Sequence, residues 1–218
     1  MMPPDPHGGD LFAGERRVEP LGPGAALLGG FALDRADALI AEIHALSAVS
    51  PFRHMETRSG RMSAALTNCG AMGWVSDRSG YRYTPHDPLT GAPWPVLPPL
   101  FARLAAEAAV ALGFADFRPA ACLVNRYAPG ARLGLHQDRD EGDRIAPIVS
   151  VSLGLPATFL WGGLERGARV RRIPVRHGDV VVWGGPSRMV FHGVAPLRHG
   201  HHPVAGGFRY NLTFRKLG

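Results

Sequence analysis

The sequence predicts a mainly β protein, two packed antiparallel sheets of the jelly-roll (double-stranded β-helix) type with supporting helices. Three observations carry this. From Pro119 onward about eight short segments of strand character follow one another with turn residues between, the spacing of a sandwich or barrel. The 218 residues include 28 glycines and 20 prolines, a share that suits many short strands joined by turns and stays below that of disorder. Only two stretches, one after Asp34 and one after Pro98, place apolar residues at helical spacing. A chain of this length buries one substantial core, so a single domain over residues 21–218 is expected.

In chain order, residues 1–20 are Pro, Gly and charge, and read as a flexible N-terminal arm. Asp34 is placed to cap a helix, with Asp37 three residues on and Ala36, Leu39, Ile40, Ile43 and Leu46 on its apolar face. A second helix is expected from Pro98-Pro99, carrying Leu100, Leu104, Ala108 and Leu112 and stopped by Gly113. Between the two, residues 51–99 hold Met62, Trp74, Tyr81, Tyr83 and Trp94 among Gly, Asn, Asp and Pro with little periodicity. Two readings have equal standing there. One is a subdomain with its own small apolar cluster; the other is a binding lid whose aromatic faces stack on exposed bases and whose Tyr hydroxyls reach phosphates. The β core then runs over about 119–218. Its strands are expected at Ala121–Tyr127, Leu133–Asp138, Ile148–Leu155, Ala157–Trp161, Val170–Val175, Asp179–Trp183, Arg188–Val194 and Phe208–Arg215.

Composition narrows the function classes. Two cysteines, Cys69 and Cys122, in no C-x-x-C spacing argue against a disulfide scaffold or a zinc site and for a reduced, cytoplasmic setting. The N-terminal stretch lacks the basic and apolar regions of a signal peptide, and no run is long and apolar enough to span a membrane. A net charge of +6 and a pI near 10.1 suit a phosphate-rich partner. Arg supplies 23 of the 24 basic residues in an Ala-, Gly- and Pro-rich chain, a bias that coding composition also produces, so the charge is mild support.

The chemistry concentrates in His136-Gln137-Asp138. In an extended strand these two ligand types, two residues apart, point to the same side and can grip one ion. The pair alone is unspecific in a chain with ten His and eighteen acids. A third imidazole from a later strand, His192, completes two His and one carboxylate with open positions opposite, the ligand set of non-haem Fe(II) oxygenases. The last strand adds to this. Phe208, Tyr210, Leu212 and Phe214 share one face; Arg209, Asn211, Thr213 and Arg215 share the other. That polar face is either solvated or turned inward, and an interior with two guanidinium groups needs a reason, because an unpaired buried charge is costly. Six residues of strand span about 20 Å, so Arg209 and Arg215 could lean together on the two ends of a short dicarboxylate, which guanidinium forks match well. Beside an open Fe(II), such a diacid points to 2-oxoglutarate.

These segments, in this order, resemble the AlkB family of Fe(II)- and 2-oxoglutarate-dependent nucleic-acid dealkylases, and its bacterial members in particular. The resemblance rests on Thr67-Asn68-Cys69-Gly70, Asn125 to Gly130, His136-Gln137-Asp138, Ser150 to Ala157, His177 to Gly185 and Arg209 to Arg215, and extends from about Leu11 to the C-terminus. It implies a jelly-roll core and a nucleotide-recognition lid over about 51–99. It implies that His136, Asp138 and His192 hold Fe(II), and that Asn125, Tyr127, Arg209, Asn211 and Arg215 hold 2-oxoglutarate, with O2 as the second cosubstrate. By the same resemblance a damaged base stacks between Trp74 and His136, Met62 lines its pocket, Tyr81 and Thr57 meet phosphate, and Asp140 faces the base edge. The implied reaction is direct-reversal DNA repair: oxidative demethylation of 1-methyladenine and 3-methylcytosine in single- or double-stranded DNA, with RNA left open, releasing formaldehyde, succinate and CO2. A monomer is expected. The turn Thr57-Arg58-Ser59-Gly60-Arg61 is one residue shorter and more basic than is usual in that family, and Arg139 stands where Lys is common.

Two other readings share the core. One is a 2-oxoglutarate-dependent hydroxylase of a protein or small molecule, which the lid aromatics Trp74 and Tyr81 speak against; the other is a non-catalytic nucleic-acid-binding module, which the intact ligand set speaks against. His199, His201 and His202 lie in a Gly- and Pro-flanked loop and read as surface. His177 reads as a turn residue, Cys69 and Cys122 as small buried apolar residues, and Trp161 and Trp183 as core.

Overall fold

The computed structural model describes residues 17–57 and 60–217. Fifteen strands and two α-helices alternate along them: β1 Arg17–Gly22, β2 Ala25–Gly29, α1 Ala36–Val49, β3 Glu56–Thr57, β4 Gly60–Arg61, β5 Ala65–Gly70, β6 Gly73–Asp77, β7 Gly80–Thr84, α2 Pro99–Val110, β8 Ala121–Tyr127, β9 Leu133–His136, β10 Ile148–Gly154, β11 Ala157–Trp161, β12 Arg171–Val175, β13 Val180–Trp183, β14 His192–Val194 and β15 Arg209–Arg215. Two antiparallel sheets dominate. The larger has the order β1-β2-β13-β10-β15-β8-β5, the smaller β12-β11-β14-β9, and two short hairpins, β3-β4 and β6-β7, stand apart from them.

The layers follow from the two faces of the large sheet. One face carries Val124, Val151, Val182, Leu212 and Phe214 and packs against Leu39, Ile40 and Ile43 of α1 and Phe101, Leu104 and Ala108 of α2. The other face meets the small sheet in a second core that includes Tyr127, Val181, Trp183, Phe159 and Trp161. Strand β15 lies in the middle of the large sheet between β10 and β8, and all seven of its residues are buried. The polar face of that strand is therefore turned inward between the sheets.

Several expectations are corrected. The arm expected over residues 1–20 ends earlier, because 17–20 belong to β1, which pairs antiparallel with β2 in the register Arg17↔Gly29 and Val18↔Leu28; residues 1–16 lie outside the described residues. Pro20 is tolerated there because β1 is an edge strand. Asp34 does not cap α1: a 3-10 turn over Leu33–Arg35 precedes the helix, and Arg35 becomes the cap position. The span 51–99 is not all lid, since β5 within it pairs with β8 and forms the edge of the large sheet. Hairpins β3-β4 and β6-β7 do project from it, over a small cluster of Met55, Leu66, Val75, Trp94 and Leu123 to which Met62 and Trp74 add. The segment thus has a small apolar cluster of its own, and the two hairpins stand where a lid was expected. The strand expected over Arg188–Val194 shortens to β14, because Gly185–Ser187 form a 3-10 turn.

Candidate metal centre and binding cleft

One cleft of about 860 Å3 opens between the sheets beneath the β6-β7 hairpin, and every site residue named from the sequence lines it. Strand pairing builds its centre. β14 pairs with β9 so that His192 lies directly opposite His136, with ring centroids 4.4 Å apart. This close approach uses Gly193: a Cβ there would stand 2.6 Å from the Leu133 carbonyl oxygen. β9 ends at His136, so Asp138 enters from the loop that follows and not from the strand as expected. It nonetheless reaches the same point, with Oδ1 3.4 Å from His136 Nε2 and Oδ2 3.8 Å from His192 Nε2. The three ligand atoms lie within 4.8 Å of one another.

Both imidazoles are oriented from behind. His136 Nδ1 lies 3.0 Å from the Gly134 carbonyl and His192 Nδ1 3.0 Å from the Val190 carbonyl, contacts in which Nδ1–H donates and leaves the Nε2 lone pair facing the centre. Burial pushes the His192 imidazole down to about 4, aided by the neighbouring His136, so it stays neutral and available as a ligand. Desolvation also acts on His136, but its contact with Asp138 outweighs this and holds it above its ordinary value. Burial alone would raise the Asp138 carboxyl; the Arg215 charge overrides it and holds the group well below the usual carboxylate range. A carboxylate and two imidazoles with a common focus fit a divalent iron.

Beside them the inward face of β15 forms a polar belt. Asn211 Nδ2 donates to Ser150 Oγ at 2.8 Å, and its Oδ1 accepts from Thr213 Oγ1 at 2.9 Å and Asn125 Nδ2 at 3.3 Å. Arg209, 2% exposed, lies over the Tyr127 ring at 5.0 Å and donates from Nη2 to Ser152 Oγ at 3.1 Å. Its Nε and Nη1 are buried with no hydrogen-bond partner among the described residues. A buried cation with unspent donors at the wall of a cleft fits a carboxylate ligand. Arg215 donates to Asp138 Oδ2 at 3.0 Å and has Nε 3.1 Å from Glu141 Oε1, so the guanidinium expected at the cosubstrate also braces the metal ligand while it lines the cleft.

At the mouth, Trp74 on β6 stacks against Tyr81 on β7, ring centroids 5.4 Å apart and nearly parallel. Its indole Nε1 donates to Asp140 Oδ2 at 2.8 Å, so the carboxylate expected to face a base edge is engaged by the ring expected to stack on that base. Thr57 Oγ1 donates to the Gly60 carbonyl at 2.8 Å and closes the β3-β4 turn, whose Arg58 and Ser59 lie outside the described residues. Met62 is half-buried at the base of the hairpins, and the exposed Arg139 side chain donates to Gln137.

Most residues set aside behave as read. His199 and His201 are exposed, but His202 is half-buried, because its Nδ1 accepts from the Ala205 N–H and its ring lies 4.3 Å from that of His177, tilted by 37°; His177 Nδ1 accepts from the Gly154 N–H at 2.9 Å. Cys69 and Cys122 are buried free thiols on directly paired positions of β5 and β8. Trp183 is core but also backs the centre, 4.8 Å from the His192 ring. Glu141, Arg188 and Tyr83 escaped the sequence reading as a group. Arg188 donates to the Asp138 carbonyl at 2.8 Å and to Glu141 Oε2 at 3.0 Å, and Tyr83 donates to Glu141 Oε1 at 2.5 Å. Nothing in their spacing announces this; only the adjacency of Glu141 to the ligand segment was a signal.

Comparison with known proteins gives a consistent picture. The model of the 2OG-Fe(II) oxygenase superfamily matches residues 24–215. The chain is 57% identical over 209 residues to the alpha-ketoglutarate-dependent dioxygenase AlkB of Salmonella typhimurium, spanning 95% of this chain and 97% of that protein. It is 55% identical over 211 residues to AlkB of Escherichia coli, spanning 96% and 98%. Among solved structures it superposes on OsALKBH1 with a TM-score of 0.81 at 30% identity, over 92% of this chain and 100% of that one.

Proposed function

The chain belongs to the 2OG-Fe(II) oxygenase superfamily and is an Fe(II)- and 2-oxoglutarate-dependent dioxygenase of AlkB type, and on that premise we propose that it repairs DNA by oxidative demethylation of N-alkylated bases. The observation that carries the substrate reading is the joint occupancy of one cleft: the His136, Asp138 and His192 centre at its floor and the Trp74–Tyr81 stack at its mouth. An enzyme acting on a base must take it out of the stack, and an aromatic platform over the reactive centre suits a flipped base.

Bound iron, with O2 and 2-oxoglutarate as cosubstrates, supplies the oxidation of an N-methyl C–H bond to C–OH while 2-oxoglutarate leaves as succinate and CO2. The protein's share is positional. His136, Asp138 and His192 would hold the ion. Arg209, with its unspent N–H donors, and Tyr127, Asn125, Asn211 and Arg215 would hold 2-oxoglutarate, Arg215 also bracing Asp138. Phe159 and Trp183 line the cleft and give its wall an apolar face. Trp74, with Tyr81 covering one face, presents the other to the base; Asp140 meets its edge, Met62 shapes the pocket, and Thr57 and Tyr81 face the phosphates. The N-hydroxymethyl product then sheds formaldehyde by breaking its C–N bond, which needs no side-chain nucleophile.

Preference for 1-methyladenine and 3-methylcytosine follows from charge. Methylation on the pairing edge blocks pairing and makes the base cationic near neutral pH, which lowers the cost of extrusion and adds a cation–π term with Trp74. We take the chain from β1 at Arg17 onward as one domain, with hairpins β3-β4 and β6-β7 as the nucleotide-recognition lid, acting as a monomer in the cytoplasm. No helix among the described residues is long and apolar enough to cross a membrane. The test is an anaerobic mixture of protein, Fe(II), 2-oxoglutarate and methylated oligonucleotides, opened to air. Formaldehyde and succinate in equal amounts are expected; succinate without formaldehyde from every methylated oligonucleotide overturns the nucleic-acid reading.

A further inference from the structure

We propose that Glu141 is a positioning residue that ties the lid hairpin to the metal ligand Asp138, using Arg188 and Arg215 as its two arms. The inference deepens the reading above and rests on it for the role of the hairpin. Four charged side chains lie buried together: Asp138 at 8% exposure, Glu141 at 4%, Arg188 at 2% and Arg215 at 7%. Their charges cancel, two negative against two positive. Asp138 is held twice, at its carboxylate by Arg215 Nη2 (3.0 Å) and at its backbone carbonyl by Arg188 Nη1 (2.8 Å). Glu141 stands behind both arms, with Oε2 on Arg188 Nη2 at 3.0 Å and Oε1 3.1 Å from Arg215 Nε. Asp138 enters from a loop and not from β9, so no ladder of backbone hydrogen bonds fixes it and these arms take that part.

The third partner of Glu141 is Tyr83, whose hydroxyl donates to Oε1 at 2.5 Å. Tyr83 lies on β7 directly opposite Trp74 on β6. A second tie joins the same two segments, Trp74 Nε1 to Asp140 Oδ2. The hairpin expected to receive the base is thus bonded at two points to the four-residue segment 138–141 that begins with a metal ligand. A seated hairpin completes the environment of Glu141, and Glu141 in turn sets the angle at which Arg215 presents Asp138 Oδ2. Without Glu141, two guanidinium groups would face a single carboxylate and oppose a divalent cation.

The test uses Co(II) as a spectroscopic stand-in, titrated into the full-length apoprotein with 2-oxoglutarate present, for wild type, Glu141→Gln and Tyr83→Phe. Loss of an outer partner of a metal ligand typically costs 10- to 100-fold in metal affinity. Glu141→Gln is expected to weaken Co(II) by about tenfold or more and to shift its visible bands. Tyr83→Phe, which removes one hydroxyl and touches no ligand, should shift the bands in the same direction and lower kcat on a methylated oligonucleotide by about tenfold with KM within threefold of wild type. Wild-type Co(II) affinity and bands in Glu141→Gln overturn the proposal. So does a Tyr83→Phe variant that raises oligonucleotide KM while its bands and kcat stay as wild type, since that is the mark of a lid contact only. If Glu141→Gln does not fold by circular dichroism, Tyr83→Phe decides alone. The Co(II) arm stands even if no methylated oligonucleotide is turned over, so failure of the substrate reading is told apart from failure of this one.

Discussion

Replacing Arg209 by Met tests the cosubstrate site most sharply, because the structure predicts opposite signs for binding and for stability. Arg209 is 2% exposed, makes one hydrogen bond to Ser152 Oγ, and leaves Nε and Nη1 buried without partners among the described residues. Burial pulls its guanidinium below its ordinary value, and only the adjoining Tyr127 opposes this. The protein therefore carries the cost of a buried, under-satisfied cation, which a bound carboxylate would offset. Methionine matches the arginine stem as far as Nε and carries no charge. A hydrogen bond to a charged group contributes about 1.5–3 kcal/mol, which corresponds to a loss of roughly 10- to 150-fold in affinity for each one removed. Isothermal titration of 2-oxoglutarate into the metal-loaded protein should show at least the lower figure. A thermal melt of the apoprotein should show Arg209→Met as stable as wild type or more so, while the rise in Tm on adding 2-oxoglutarate disappears. Affinity within twofold of wild type would refute the assignment. So would a large fall in apoprotein Tm, which would make Arg209 a structural residue.

Other consequences are open to measurement. Asp138→Ala and His192→Ala should each abolish stoichiometric Fe(II) binding, read by metal titration, because two ligands remain of three; undiminished binding in both would remove the metal centre from this site. Trp74→Ala should lose about 2- to 30-fold more efficiency on cationic 1-methyladenine than on a neutral adduct of the same base, the range of a cation–π term of roughly 0.5–2 kcal/mol, and equal losses would show that Trp74 only packs against Tyr81. The buried Asp87 accepts from Ser50 Oγ at 2.5 Å and pairs with Arg53. Burial raises its carboxyl, but the bonds from Arg53 and Ser50 override this and hold it below the ordinary value of 3.8. Its folded pKa being the lower one, its contribution is fully present above about pH 4 and is lost as pH falls through the folded value. Asp87→Asn should accordingly cost about 3 kcal/mol at neutral pH, near the low end for a broken buried pair, and the deficit relative to wild type should shrink below pH 4; a deficit independent of pH would contradict it.

How much of this was legible in the sequence depends on what kind of interaction does the placing. The β core was legible because alternation along β15 is a local pattern, and the same alternation marked Arg209, Asn211 and Arg215 as one face. Which way that face points was not local: it is settled by α1 and α2 covering the apolar face of the large sheet and by the small sheet facing the other. The metal residues were legible as ligand types, although the geometric reason offered for them was only half right, since Asp138 lies beyond the end of β9. β2 was missed because Ala25–Gly29 is buried throughout and shows no alternation to distinguish it from loop or helix. Glu141, Arg188 and Tyr83 were illegible for a related reason. They are 47 to 105 residues apart in sequence, and only the folded sheets and hairpin bring them together.

The central claim is that this cleft restores a methylated base. The measurement is the intact mass of a single-stranded oligonucleotide carrying one 1-methyladenine, taken after incubation with the protein, Fe(II), 2-oxoglutarate and air, with His192→Ala as control. The wild-type protein should convert the oligonucleotide to the mass of the unmodified adenine strand, one methylene lighter, only when 2-oxoglutarate is present, while the control leaves it unchanged. An oligonucleotide that keeps its methyl group while 2-oxoglutarate is consumed to succinate would contradict the account.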